Sequence, residues 1–445
     1  MSGQRLPLLA HSGTGRIVAW CPGGPITAQR FLSDVARLAE RLPSGSSVLN
    51  VCQDRYRFLV GVAASLVAGK VSLLPPSQTP EAVRQLKNYA ADVFCLHDGS
   101  GDNIDLPKLA FPELGVGSVD TVPEIAIDQV AVVLFTSGST GTPMPHVKKW
   151  GALVESSQGE AVRLEAMQPG YSLVGTVPVQ HSYGFESVIM LTLQSRSAVW
   201  CGWPFYPADI VAALTAVPRP RLLVTTPVHL RALLDAGIEI PAVDKLLSAT
   251  APLSDGLARE AERLLAAPLH EIYGCTETGQ LASRRTTDGP RWHALPGIRL
   301  EQADDLTYAL GGNCGVRQAL GDVIELHGDG TFSLHGRNAD MVNIAGKRTS
   351  IAYLNHQLAD IPGIVDGCFF MPEETTVDGV TRLCAVVVAP DLTPAQLREA
   401  LRQRIDPIFL PRPTIFVDRL PRNATGKLPR ADLLALLDHY GRSAA

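Results

Sequence analysis

The feature that most constrains the fold of this chain is an apolar run that leads directly into a loop of hydroxyl residues and glycines. The run spans residues 131–135, and the loop continues from Thr136 to Pro143. Five apolar residues without alternation are typical of a strand buried on both faces of a parallel sheet. Hydroxyl donors, and glycines that permit close backbone approach, suit the binding of phosphate groups. For this loop by itself, an ordinary Ser/Gly turn after a strand is an equally open interpretation.

The composition favours a globular protein and argues against two other classes. The chain has 445 residues, of which 46% are hydrophobic, so it can build one large and one small domain. Its net charge of −5 argues against a general nucleic-acid binder. The longest apolar run, residues 58–69, is too short to cross a bilayer. We therefore expect a buried helix there, with no membrane insertion and no nucleic-acid partner.

The cysteines and the N-terminal sequence indicate a cytoplasmic protein. The eight cysteines show neither C-x-x-C pairing nor the density of a disulfide scaffold, so we expect reduced thiols. The first residues lack the basic segment and apolar core of a secretory signal. Together these two observations favour a cytoplasmic location.

The order of predicted elements indicates an α/β fold. A strand, a helix and a strand over residues 48–74 predict a parallel βαβ unit, and this alternation continues to about Tyr273. Glycine turns beyond Leu295 predict antiparallel hairpins. We expect a large N-terminal domain, residues 1–336, with mixed and parallel sheets flanked by helices and a hairpin-rich region. A small α+β C-terminal domain, residues 337–445, would follow it.

Several shorter segments have clear secondary-structure patterns. The predicted helices are 26–42, 80–90, 395–404 and 430–439, with further helices that Pro227 and Pro252 would start. The predicted strands are 92–96, 173–178, 222–226, 245–249, 385–388 and 414–417.

The loop after the first apolar run is not a Walker or Rossmann loop, because neither glycine pattern occurs. It resembles the phosphate loop of the adenylate-forming superfamily, which contains acyl-CoA synthetases, peptide-synthetase adenylation domains and luciferases. The family pattern [ST]-S-G-[ST]-T-G-x-P-K-G is matched up to Pro143, after which Met144 and Pro145 replace Lys-Gly. The resemblance implies that six loop residues bind ATP phosphates: Thr136, Ser137, Gly138, Ser139, Thr140 and Gly141.

A second motif, Tyr273-Gly274-Cys275-Thr276-Glu277, resembles the family's Y-G-x-T-E segment. The resemblance implies that Tyr273 lies in the nucleotide site, that Thr276 lies near the α-phosphate and that Glu277 binds Mg²⁺. A carboxylate oxygen is the hard ligand that this ion requires. A Thr-Glu pair without this context would more often begin a helix.

Three further matches follow in the family's order. Gly321-Asp322 resembles the pair whose carboxylate accepts hydrogen bonds from both ribose hydroxyls. Arg337 begins the segment that resembles the hinge, where it would reach ribose and phosphate, although Ala339 replaces the usual hinge Asp or Lys. Lys427 occupies the terminal G-K position, where it would bridge the acid and the α-phosphate. Each pair in isolation would be a simple turn. These five motifs and a sixth at residues 181–186 carry the resemblance together.

Residues 181–186 occupy the place of the family's aromatic motif beside the acid pocket. His181, Tyr183 and Phe185 are therefore candidate substrate-binding residues. Packing in the hydrophobic core is an equally open role for the two aromatic side chains.

The resemblance implies an ATP- and Mg²⁺-dependent ligase whose small C-terminal domain is a mobile lid. Such an enzyme converts a carboxylic acid to an acyl-adenylate and then transfers the acyl group to a thiol. Met144-Pro145-His146, Lys148 and Trp150 resemble a short subgroup, the acyl- and aryl-acyl carrier protein ligases of aryl polyene and xanthomonadin biosynthesis. That subgroup implies a hydroxybenzoate substrate, such as 4-hydroxybenzoate, and an acyl carrier protein partner. Free coenzyme A is the alternative acceptor, and Lys148 is a candidate to replace the missing loop lysine.

Two other functions remain open. A non-catalytic nucleotide or adenylate sensor would explain the lost loop lysine, but the chain retains Glu277, Asp322, Arg337 and Lys427, which favours an enzyme. A stand-alone module for a peptide synthetase would be expected to carry a Phe-Asp pair in residues 181–186, and none occurs there.

Overall fold

We describe a computed structural model of the chain. The structure describes residues 3–10, 13, 15–75, 77–99, 101, 104–115, 117, 119–137, 143–167, 170–304, 306–314, 317–337, 341–344, 347–372, 383–423, 426 and 428–441.

The α-helices are short and alternate with strands in the first two thirds of the chain. They are α1 (Ala28–Ala39), α2 (Arg55–Val67), α3 (Pro80–Tyr89), α4 (Trp150–Arg163), α5 (Ser182–Gly184), α6 (Leu191–Gln194), α7 (Pro207–Ala216), α8 (Pro227–Asp235), α9 (Asp255–Leu265), α10 (Ile351–Ala359), α11 (Pro394–Arg402) and α12 (Arg430–Gly441). A π-helix, Phe185–Met190, joins α5 to α6.

The strands form two large sheets and several small ones. They are β1 (Arg5–Pro7), β2 (Ile17–Cys21), β3 (Gly24–Thr27), β4 (Ser47–Asn50), β5 (Val71–Leu74), β6 (Phe94–His97), β7 (Lys108–Ala110), β8 (Glu124–Ala126), β9 (Val130–Ser137), β10 (Pro143–Lys149), β11 (Ser172–Gly175), β12 (Ala198–Trp200), β13 (Arg221–Thr225), β14 (Lys245–Ser248), β15 (Leu269–Cys275), β16 (Gly279–Arg285), β17 (Trp292–Ala294), β18 (Arg299–Ala303), β19 (Leu306–Leu310), β20 (Gln318–Leu320), β21 (Asp322–Leu326), β22 (Thr331–Arg337), β23 (Met341–Ile344), β24 (Lys347–Ser350), β25 (Asp366–Phe370), β26 (Cys384–Val388) and β27 (Thr414–Phe416).

The first large sheet has six strands in the order β10-β9-β5-β4-β6-β7. Strand β9 is parallel to β5 on one side and antiparallel to the edge strand β10 on the other. Thr136 is opposite Met144, and Ser137 is opposite Pro143. The predicted phosphate loop therefore connects the two strands of this edge hairpin.

The second large sheet has eleven strands in the order β21-β22-β17-β16-β15-β14-β13-β11-β12-β2-β3. Its centre, from β15 to β2, is parallel, as the strand and helix alternation predicted. Antiparallel hairpins extend one end, because short glycine turns replace the helices after β15.

Helix α2 is packed between the two large sheets. It contacts β4 and β5 of the first sheet and β12 of the second. Every residue from Phe58 to Leu66 is buried, as expected for a helix that is apolar on all sides. Asp54 caps its N-terminus by accepting a hydrogen bond from the backbone N–H of Arg57 at 2.8 Å.

The C-terminal part of the chain has its own hydrophobic core. Helices α10 and α11 and strands β25 and β26 supply its buried side chains, including Leu354, Phe369 and Leu397. The last strand of the eleven-stranded sheet ends at Arg337, and the small two-stranded sheet begins at Met341. A boundary between residues 336 and 337 stays a prediction.

The predicted fold class is confirmed, and most predicted elements are observed within a few residues of their expected bounds. The prediction that Pro252 starts a helix is wrong, because Ser254 caps α9 by accepting a hydrogen bond from the N–H of Leu257. Strand β10 and the short strands β1 to β3 were not predicted. Among the helices that the structure describes, none is long and apolar enough to cross a membrane.

The expectation that all cysteines are reduced thiols is wrong for one pair. Cys21 and Cys201 form a disulfide, with their Cα atoms 5.1 Å apart. Strands β2 and β12 are adjacent in the eleven-stranded sheet, so residues 180 positions apart in the sequence meet at one end of the pair. The other six cysteines are free.

Candidate active site

The Y-G-x-T-E segment lies where strand β15 turns into strand β16. Tyr273 and Cys275 are in β15, while Thr276, Glu277 and Thr278 form the turn. A bulge between Tyr273 and Gly274 shifts the register just before the turn. The hairpin therefore presents Thr276 and Glu277 at the end of the strand.

The edge strand β10 reaches the backbone of this turn. The Lys148 ammonium group donates a 2.9 Å hydrogen bond to the carbonyl oxygen of Glu277. Lys148 is only 1% exposed, and burial lowers the pKa of its ammonium group against the opposing effect of the Glu186 carboxylate. Lys148 is thus held behind the turn, where it fixes the main chain of Glu277.

His146 lies on the same face of β10 and contacts two candidate site residues. Its Nε2 shares a 3.0 Å hydrogen bond with the Thr136 hydroxyl and lies 3.9 Å from Oε1 of Glu277. Burial lowers the pKa of this imidazole, although the Glu277 charge opposes the shift. His146 therefore connects the start of the predicted phosphate loop to the Glu277 carboxylate.

The Glu277 carboxylate has the properties of a ligand for Mg²⁺. Burial raises its pKa, but hydrogen bonds from its own N–H and from the Cys275 thiol, together with the charges of His146 and Lys148, oppose burial, and the net pKa lies below its ordinary value. Its side chain is also 41% exposed, so an ionised oxygen faces solvent. Such an oxygen fits a hard cation that takes its other ligands from phosphate and water.

Tyr273 and Asp322 are brought together across the second sheet. The Tyr273 hydroxyl donates a 2.6 Å hydrogen bond to Oδ2 of Asp322, and its ring packs against Trp292 and Phe332. Asp322 begins β21 and is directly opposite Arg337 at the end of β22. The backbone therefore pairs the two residues that the resemblance assigns to ribose.

The three candidate substrate residues have different environments. His181 precedes α5, and the Tyr183 hydroxyl donates to the carbonyl oxygens of Thr225 and Leu247 at 3.2 and 3.1 Å. These carbonyls lie at the carboxyl ends of two parallel strands, a usual place for ligand sites in α/β sheets. Phe185 is 1% exposed and packs in the main hydrophobic core.

A buried polar network, which the sequence analysis missed, adjoins this segment. Glu186 is 2% exposed; its Oε1 accepts from the Ser182 hydroxyl at 2.7 Å, and its Oε2 accepts from the Gln280 N–H at 3.1 Å. The Gln280 side chain in turn donates to the Ser187 hydroxyl at 2.8 Å. Burial raises the pKa of the Glu186 carboxyl, and the nearby Lys148 charge opposes the rise.

Glu160 on helix α4 extends this network into the core. It is fully buried, and burial raises the pKa of its carboxyl to about 8. Ser187 and Gln280 lie close enough to oppose the rise, but neither completes a hydrogen bond to the carboxyl oxygens. A signal was present in the sequence, because Glu160 has helical spacing with the apolar residues Leu153 and Leu164.

Several candidate residues cannot be located in this way. Gly138, Ser139, Thr140, Gly141 and Lys427 lie outside the described residues, as do the side chains of Ser137 and Arg337. The described part of the site thus brings together Thr136, His146, Lys148 and the turn at Glu277. Tyr273 lies on β15, just before that turn, and its hydroxyl binds Asp322 of β21.

Comparisons with known proteins identify the family of this chain. A family profile described as "AMP-binding enzyme" matches residues 11–305, and its C-terminal domain profile matches residues 356–427. The chain is 26% identical over 387 residues to a 3-hydroxybenzoate–CoA/4-hydroxybenzoate–CoA ligase of Thauera aromatica, covering 76% of this chain and 72% of the relative.

Two solved structures have the same fold. ATP-bound MatB from Rhodopseudomonas palustris superposes with a TM-score of 0.81 at 20% identity, covering 97% of each chain. O-succinylbenzoate coenzyme A synthetase (MenE) from Bacillus subtilis, in complex with ATP and magnesium ion, also has a TM-score of 0.81, at 18% identity, and covers 97% of this chain and 100% of the other. The profile matches, which cover more than half of the sequence, show that the chain belongs to the AMP-binding, adenylate-forming enzyme family.

Proposed function

We propose that this protein activates a hydroxylated aromatic acid with ATP and transfers the acyl group to a thiol. The observation that carries the proposal is the arrangement around Glu277, whose carboxylate and carbonyl are contacted by His146 and Lys148 beside the first residue of the phosphate loop. The family supports adenylation of an acid and thioester formation as the general activity.

The described residues are suited to a reaction that brings two anions together. A carboxylate that attacks the α-phosphate of ATP needs positive charge and hydrogen-bond donors placed before the bond forms. Glu277 would hold Mg²⁺, which when bound neutralises phosphate charge. Thr136 would donate to phosphate oxygens, Thr276 would lie near the α-phosphate, and Asp322 would hold the ribose hydroxyls. Lys427 would bridge the acid and the α-phosphate.

The choice of acid rests on the relatives and on the polar groups near Tyr183. The Thauera aromatica relative is named for 3-hydroxybenzoate and 4-hydroxybenzoate, and a second relative from Aromatoleum is named for 3-hydroxybenzoate. Both names describe a small aromatic acid with one hydroxyl group.

Pyrophosphate release across a panel of acids tests this proposal. We expect hydroxybenzoates to give the highest kcat/KM, with cinnamates and medium-chain fatty acids clearly lower. The signal should require ATP, Mg²⁺ and the acid together. A folded protein that binds ATP but releases no pyrophosphate with any acid would instead support a nucleotide-binding sensor.

Lys427→Ala should abolish most adenylate formation, because this ammonium group would neutralise charge in the transition state. We expect the rate of ATP–pyrophosphate exchange to fall by about 10²- to 10³-fold, the range for one preorganised electrostatic donor. Arg419→Ala, at an exposed position in the same stretch, serves as the control and should retain full exchange. Unchanged exchange in a folded Lys427→Ala protein contradicts the assignment.

Lys148→Met should lower kcat for adenylation by about 10- to 100-fold, because the Glu277 main chain loses the ammonium group that holds it. If Lys148 acts only through Glu277, the KM for ATP should change little; a direct phosphate contact would raise that KM strongly. The matched control is Lys149→Met, which removes the same charge from the neighbouring, exposed position of β10. Equal kcat and KM values for the two variants would exclude both the role through Glu277 and the direct phosphate contact.

We propose a carrier protein as the acceptor on the basis of the subgroup resemblance; coenzyme A is anionic too, so surface charge is compatible with either acceptor. Arg398 and Arg402 are both exposed and lie four residues apart on α11, while Leu397 and Leu401 face the core. Arg402 also lies 3.6 Å from Glu399 in an ion pair on the same helix, and Arg422 forms an ion pair with Asp366 at 2.6 Å. An exposed pair of arginines suits the acidic surface of a carrier protein, since complementary charge raises the association rate.

Reversing both charges, Arg398→Glu with Arg402→Glu, should slow acyl transfer to a carrier protein, and most strongly at low salt. Adenylation and transfer to free pantetheine should stay unchanged. The control is the equivalent double reversal of Arg259 and Arg263, which are exposed and four residues apart on α9. Rapid formation of a coenzyme A thioester without carrier loading would identify an ordinary acyl-CoA synthetase.

A further inference from the structure

Several buried polar side chains around the π-helix and the start of β16 have unused hydrogen-bonding capacity. Both carboxyl oxygens of Glu160 and the side-chain oxygen of Gln280 are buried without a partner, and so are both polar atoms of the Asn313 amide. Glu160 is 0% exposed, and Gln280 is 4% exposed. An unsatisfied buried polar group costs about 1–3 kcal/mol, so a cluster of such groups calls for a binding partner.

These groups lie between the two halves of the proposed site. Gln280 is three residues beyond Glu277, and its N–H is bound by Glu186. Its side chain donates to Ser187, which belongs to the π-helix that follows Tyr183. Glu160 lies close enough to the Tyr183 hydroxyl that its ionised form would add to the rise that burial causes in the tyrosine pKa. Glu160 and Gln280 therefore adjoin both the segment around Tyr183 and the strand that follows the turn at Glu277, the two parts between which a substrate acid would bind.

The local backbone is built to admit polar side chains here. Residues 185–190 form a π-helix, a distortion that is frequent at functional sites and that changes the direction of side chains within a helix. Glu186 and Ser187 are both buried in this turn. Opposite them, Gly279 has a φ of +71°, and an added Cβ there would lie 3.0 Å from Oε2 of Glu186. A glycine is therefore required where the two segments meet.

We propose that Glu160 and Gln280 determine the specificity of this enzyme by binding the hydroxyl group of an aromatic acid substrate. This inference rests on the proposed function. The protonated Glu160 carboxyl donates a hydrogen bond to the substrate hydroxyl oxygen. The side-chain carbonyl oxygen of Gln280 accepts a hydrogen bond from the same hydroxyl group. A hydroxyl group, which donates one hydrogen bond and accepts others, complements this pair.

The charges of the cluster favour a neutral substituent. A carboxyl group with a pKa of about 8 is mostly protonated at pH 7, so Glu160 is a neutral hydrogen-bond donor there. A second carboxylate on the substrate would be placed beside Glu186, whose charge repels it. Lys148 lies near Glu186 and disfavours an ammonium substituent in the same way.

The experiment compares kcat/KM for pyrophosphate release with 3- or 4-hydroxybenzoate and with unsubstituted benzoate. In the wild-type protein, we expect the better hydroxybenzoate to be preferred by at least about 100-fold, because benzoate leaves buried polar groups unpaired. Glu160→Leu and Gln280→Leu should each reduce that preference by about tenfold or more, mainly through loss of activity on the hydroxylated acid.

A conservative variant separates recognition from packing. Glu160→Gln keeps a neutral donor of the same shape, so it should retain most of the preference that Glu160→Leu loses. The control is Ser72→Ala, which removes another buried, unpartnered hydroxyl in β5 of the six-stranded sheet and should leave the preference unchanged. Thermal unfolding of each variant confirms that the folded state is compared.

Several outcomes would overturn this inference while leaving the proposed function in place. They are a wild-type hydroxybenzoate-to-benzoate ratio of kcat/KM near one, an unchanged ratio in Glu160→Leu, or better activity with isophthalate, or with 3-(aminomethyl)benzoate and its ammonium group, than with either hydroxybenzoate. In contrast, a wild-type protein that releases no pyrophosphate with any acid contradicts the proposed function itself.

Discussion

The arrangement of the large domain depends on the burial of helix α2 between two sheets. A helix that is apolar on all sides has no solvent-facing surface, so it needs a sheet on either flank. Each fully buried Leu, Val or Phe side chain contributes about 1.5–3 kcal/mol, and α2 supplies several of them to one core shared by both sheets. Because the two sheets share this core, the β9–β10 hairpin of one lies beside the β15–β16 turn of the other.

The contact between these two hairpins explains how the site is held without the usual loop lysine. Side chains alternate along a strand, so His146 and Lys148 share one face of β10, and both point at the turn. One contacts the Glu277 carboxylate and the other its carbonyl oxygen. The basic groups thus fix the position of the acidic residue from within the protein, while its side chain stays 41% exposed.

The sequence predicted the features that depend on neighbouring residues. Strand β5 and the start of α8 at Pro227 have the expected bounds, because a proline or a buried apolar run defines each locally. Strand β10, the Cys21–Cys201 disulfide and the network at Glu160 were missed, because each depends on segments distant in sequence. The motif at 273–277 singled out Glu277, which the structure places in the turn after β15, but periodicity does not reveal that Lys148 binds its carbonyl.

The pairing of Asp322 with Arg337 limits how the length of this region can change. The two residues face each other at the open end of the β21–β22 hairpin, and the connecting turn at residues 327–330 lies at the far end. Residues added in that turn would leave the pairing intact. One residue added within either strand would shift the register and send every following side chain to the opposite face. Natural variation in length is therefore expected to accumulate at the turn, whereas the strands should keep a constant number of residues.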